Sequence, residues 1–112
     1  MSKRQHNYIS GHTHRTLKTL AAMIAAARKE RKMSQEELGR RLGVSRLTVG
    51  AIEKGSPKVA IGTVFEAAVT VGIPLLASDK RELDQLATSV AAIARVLPKT
   101  ARAKKRRVDD DF

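Results

Sequence analysis

From residue 17 onward the apolar residues fall into helical periods. Leu17, Leu20, Ile24 and Ala27 are spaced by three and four, which puts them on one side of a helix. A basic run, residues 28–32, follows at the end where the helix dipole favours cations. Ser34 and Glu37 have capping-box spacing, with the hydroxyl accepting from an early backbone N–H and the glutamate reaching back. A second helix is therefore predicted over residues 35–42, ended by Gly43, whose lack of a Cβ suits the left-handed backbone of a helix stop. Ser45 caps a third helix that reaches Lys54, and Gly55, Ser56 and Pro57 stop it. A fourth fits residues 61–71, with Val64, Phe65, Ala68 and Val69 facing inward and Gly72 and Pro74 closing it.

Ser78 and Asp79 open a fifth helix, and Asp79 with Glu82 makes a second capping pair. Along it Leu83, Leu86, Val90, Ile93 and Leu97 repeat as the a/d seam of a short coiled coil, and Pro98 ends it. The seam has two possible partners, a second copy of the chain or the chain's own domain. Residues 1–16 show no apolar period and are expected to form a flexible basic arm. The end of the chain sets Lys104, Lys105, Arg106 and Arg107 before Asp109, Asp110, Asp111 and Phe112, a composition expected to be disordered alone. The organisation expected is thus an arm at 1–16, a helical domain at 17–76, a fifth helix at 77–98 and a tail at 99–112, all-α throughout.

Composition narrows the partner. The 112 residues carry 22 Lys and Arg against 11 Asp and Glu, a formal charge of +11. The excess is spread over three cations and no acid in 1–16, thirteen and eight in 17–98, and six and three in 99–112. That distribution suits a chain that approaches a polyanion, nucleic acid first. Cysteine is absent, which excludes disulfides, thiolate metal sites and cysteine nucleophiles. The longest apolar stretch is too short to cross a bilayer and no signal-peptide order is present, so a cytoplasmic protein is expected.

The segment 35–54, QEELGRRLGVSRLTVGAIEK, carries the densest set of mutually consistent features. Leu38 and Leu42 share a face of the second helix, and Val44, Val49 and Ile52 supply the facing apolar positions. Gly39 stands where steeply crossing helices leave space for a small residue, and Gly43 occupies the turn. With these residues and its two caps the segment resembles the helix-turn-helix of the Xre/Cro repressor family, a resemblance that extends over residues 17–76. It implies a five-helix, lambda-repressor-like fold whose third helix enters the DNA major groove while the second crosses the phosphate backbone.

On that reading the positions of the third helix not used for packing, Ser45, Arg46, Leu47, Thr48, Gly50 and Ala51, face DNA. Arg46 is the best base reader, because its guanidinium bonds the O6 and N7 of guanine together. The family frequently has glutamine there. Leu47 and the Thr48 methyl meet thymine methyls, and Gln35 holds a phosphate at a helix start. Arg40, Arg41, Lys54 and Lys58 are candidate phosphate contacts, with a solvated face as the alternative for each. Glu53 is expected to be structural, since phosphates would repel it.

Other chemistry is poorly supplied. His6, His12 and His14 lie in a segment with no rigid element to fix a metal's geometry, the terminal aspartates read as a solvated tail, and no nucleophile sits beside a base. No catalytic residue, metal or cofactor is expected. Short Xre-type chains with a C-terminal extension resemble antitoxins, and the tail ending Val-Asp-Asp-Asp-Phe is similar to those of HipB-like proteins encoded beside HipA-type kinase toxins. The resemblance implies a homodimer that represses its own operon from a double-stranded DNA operator and binds a Ser/Thr kinase toxin. The alternatives are a free-standing or phage-type regulator without a toxin and a protein-interaction module that no longer reads DNA.

Overall fold

The computed structural model describes residues 8–100, which form five helices and no strand among the described residues. They are α1 (Gly11–Glu30), α2 (Gln35–Leu42), α3 (Arg46–Lys54), α4 (Ile61–Thr70) and α5 (Lys80–Val96). The all-α expectation holds. The chain divides into two compact units, one ending at Leu75 and the other beginning at Leu76.

In the first unit Ile24 of α1, Leu38 of α2, Val49 and Ile52 of α3, Ala67 and Ala68 of α4, and Val71 and Ile73 form one buried cluster. Leu20, Ala27, Met33, Leu42, Val44, Val59 and Val64 pack around it. The spacing Ala21, Ile24, Arg28 gives α1 its buried face. An arginine on that face is the unusual member, because a buried guanidinium needs a partner.

Several boundaries differ from those read in the sequence. The helix expected from residue 17 starts at Gly11, where the Ser10 hydroxyl accepts from the Thr13 N–H, so residues 11–16 are helical and not part of an arm. A polar face masked the period: Thr16 and Thr19 bond back to the His12 and Arg15 carbonyls, and His12 and His14 are exposed on the helix. On α4, Ala67 and Ala68 are buried and Val64 partly so, whereas Phe65 and Val69 are exposed. The buried stripe of α4 is carried by its small residues. Residues 1–7, including His6, and residues 101–112, with the basic and acidic tail blocks, lie outside the described residues.

The caps act largely as their residue types require. Glu37 N–H donates to the Ser34 hydroxyl at 3.0 Å, but the Glu37 carboxylate accepts from Arg40 and Arg41 instead of reaching back. In α5 the box is fuller: Glu82 N–H donates to Asp79, and the Glu82 carboxylate accepts from the Ser78 N–H. No residue of α5 is buried; Leu83, Leu86, Val90 and Ile93 are 39–60% exposed. Leu97 lies just past the helix, at its C-cap in extended conformation.

Candidate nucleic-acid interface

Two short helices and a tight turn set the geometry. Gly43 ends α2 with φ 72°, the left-handed backbone for which glycine is suited. The next residue, Val44, returns its N–H to the Gly39 carbonyl at 2.9 Å. A Cβ at Gly39 would lie 2.8 Å from the Val44 carbonyl oxygen, so the absence of a side chain there lets the turn close over α2. Ser45 then starts α3, its hydroxyl accepting from the Thr48 N–H at 3.1 Å.

Val49 and Ile52 anchor α3 in the core. The opposite face presents exposed Arg46 and Leu47 and half-buried Thr48, Gly50 and Ala51, with Lys54 exposed at the end. Leu47, at 81%, is the most exposed large aliphatic side chain on the helix. Around Arg46, Leu47, Gly50 and Ala51 the surface is a shallow groove that also takes in Ala25 and Lys29 of α1, Gln35 of α2, Glu53, Lys54 and Ser56. Arg46 makes no ion pair among the described residues, so its guanidinium is available to an incoming partner.

Glu53, which lines this groove, belongs to a charge pair. Arg28 donates from Nε to Glu53 Oε2 at 2.6 Å and from Nη2 to Oε1 at 3.0 Å, both side chains being nearly buried. Its remaining nitrogen, Nη1, donates to the Met33 carbonyl at 2.7 Å. The guanidinium therefore ties α1 to α3 and to the turn before α2. Burial pushes the Glu53 carboxyl up, but hydrogen bonds from Arg28 and Gln35 and the charges of Arg28 and Lys29 outweigh it and hold the group below its ordinary value. The hydrogen bond to Glu53 raises Arg28.

Gln35 is held in this network, its Nε2 donating to Glu53 Oε1 at 3.1 Å. One amide N–H expected for a phosphate is thus committed within the protein. Ser45 and Thr48 are likewise engaged, their hydroxyls 3.1 Å apart at the cap. Arg40 and Arg41 are exposed and share Glu37, at 3.5 and 3.0 Å. Such pairs are weak and exchange readily for another anion. Lys58 is exposed in the segment that follows α3.

Arg28 and Lys29 are site residues that the sequence conceals, because both fall in one basic run. The signal for Arg28 was its spacing, four residues after Ile24 on the apolar face. Lys29 is one position round the helix, at the edge of the groove.

Residues 24–77 match the family model described as Helix-turn-helix. No curated protein and no solved structure matches the chain. Among the described residues, no helix is long and apolar enough to cross a membrane. The core of α1 to α4, the glycine turn and the matched residues agree: segment 24–77 is a helix-turn-helix domain of the Xre type.

Proposed function

We propose that the protein is a sequence-specific transcriptional repressor that binds a double-stranded DNA operator as a homodimer, with α3 in the major groove. The observation that carries this is the outward face of α3, where unpaired Arg46 and exposed Leu47 stand beside Lys54 on a helix anchored by Val49 and Ile52. Around Arg46 the acidic side chain of the groove, Glu53, is neutralised by Arg28, so the surface offered to phosphates is positive. The unburied seam of α5 supports pairing between copies, which a short recognition helix needs in order to read two half-sites.

Duplexes selected from a random pool test the reading. A bidentate arginine–guanine contact discriminates by ~1 to 3 kcal/mol, so Arg46→Ala should weaken binding to the selected duplex far more than to a random one. Equal losses on both remove the base-reading role, and a pool that yields no enriched sequence removes the repressor reading.

The finer reading is an antitoxin that represses its own operon and neutralises a HipA-type Ser/Thr kinase. Its support is the sequence of the tail, a basic block followed by three aspartates and a terminal phenylalanine. Such a segment suits ordering against a protein surface better than against DNA. Recovery of a kinase with the native protein supports it, and recovery of the protein without one opposes it.

A further inference from the structure

Resting on the DNA-binding reading, we propose that α1 carries a second phosphate-binding edge, the stripe Lys18–Ala22–Ala25–Lys29, which runs beside the recognition helix and grips one DNA strand along the flank of the groove. Steps of four, three and four at ~100° per residue bring these four positions to one narrow line on α1. That line is distinct from the buried face of Ala21, Ile24 and Arg28.

Two contacts fix where the line lies. At one end Lys18 Nζ donates to the Lys54 carbonyl, the last of α3, at 3.3 Å. The backbone there is close as well: a Cβ on Gly55, which has φ 78°, would lie 3.1 Å from Lys18 Cα. At the other end Ala25 and Lys29 line the same groove as Arg46 and Gly50. The stripe thus runs from beside the last turn of α3 to the groove that Arg46 also lines.

Its chemistry fits a polyanion. Lys18 and Lys29 are exposed and neither is in an ion pair among the described residues. Between them stand two methyl side chains, which let a sugar-phosphate backbone approach α1 closely. The ammonium-bearing residues are about 16 Å apart along the helix at ~1.5 Å per residue, a span that covers several phosphates of a strand whose charges are ~3.4 Å apart along the axis. A merely solvated face would put no premium on this alignment with α3.

Salt titration on a mixed-sequence duplex of about 30 base pairs reads the contacts, because each phosphate neutralised contributes about 0.9 to the slope of log K against log salt. Lys18→Gln and Lys29→Gln should each make the slope shallower by about one, and the double variant by about two. Arg31→Gln, a charge removed at the C-cap of α1 where the guanidinium sits beside Gly72, should leave it unchanged. Ala22→Glu, at an exposed position that folding does not need, should cut affinity for selected and mixed duplexes alike by tenfold or more with an unaltered melting temperature. If Lys29→Gln and Ala22→Glu bind as the wild type does while Lys54→Gln and Arg46→Ala are impaired, the edge on α1 is refuted and the α3 reading stands. If none of these variants differs from the wild type, or if the wild type binds neither duplex, both are refuted.

Discussion

The helices of the first unit and α5 are written in the same local language, with a side-chain cap at the start of α1, α2, α3 and α5 and apolar residues at steps of three and four. Their fates differ. Ile24, Leu38 and Val49 are fully buried, whereas no residue of α5 is. Periodicity establishes that a helix has an apolar side; it does not say what covers that side. In the first unit the answer lies within the chain, where one long and three short helices converge on one cluster. For α5 the proposal above assigns it to a second copy.

The largest break in the comparison comes from a charge in the first unit. Glu53→Ala leaves the Arg28 guanidinium buried and unpaired, a change that costs about 3 to 5 kcal/mol and is read as a fall in the urea midpoint. The same pair gives an acid sensitivity. Because the folded-state pKa of Glu53 lies below its ordinary value, its contribution is complete above the usual carboxylate range and is lost as pH falls through the folded value. Wild-type stability should therefore drop on acidification below about pH 4, and a Glu53→Gln variant should show less of that drop.

A smaller effect on folding, with a larger one on assembly, is expected in the second region. Leu86→Lys combined with Ile93→Lys should change the unfolding free energy of the first unit by less than about 1 kcal/mol, as substitutions at exposed positions do, while sedimentation shifts from dimer to monomer. A dimer of undiminished stability would place the interface elsewhere. The smallest effect belongs to the surface of α2. Glu37→Gln removes both pairs with Arg40 and Arg41 yet should cost under about 1 kcal/mol in thermal unfolding, because all three side chains are substantially exposed.

Most of the first unit was legible in the sequence because its signals were steric or conformational. Gly43, Ser34 and Ser45 mark their helix ends by what their atoms permit, and Leu38, Val49 and Ile52 declare an inner face by spacing. Apart from one local cap, what escaped was set by tertiary partners. The start of α1 at Gly11 depends on a serine cap ahead of a stretch of polar residues. Phe65 and Val69 were assigned to the core because they are large and apolar, but α4 packs through Ala67 and Ala68. Glu53 was recognisable as structural, since a carboxylate turned toward phosphates would be repelled. Its partner was hidden because Arg28 stands among three other nearby cations and only the fold distinguishes it. Gln35 was assigned to phosphate when its amide is partly spent on Glu53. The positions proposed to read bases, Arg46 above all, were found by subtraction from the packed face of α3.

The Arg28–Glu53 pair also bears on how α1 finds its place. Ala21, Ala22, Ala25, Ala26 and Ala27 make much of that helix a smooth cylinder on which one turn resembles the next. Sliding it by a turn, ~5.4 Å, would take Ile24 out of the core and would also strand a buried guanidinium away from its carboxylate. The pair thus acts with Ile24 as an indexing pin, and a variant with two well-packed apolar residues in its place is expected to hold or gain stability while losing the electrostatic share of the penalty that rejects the shifted register.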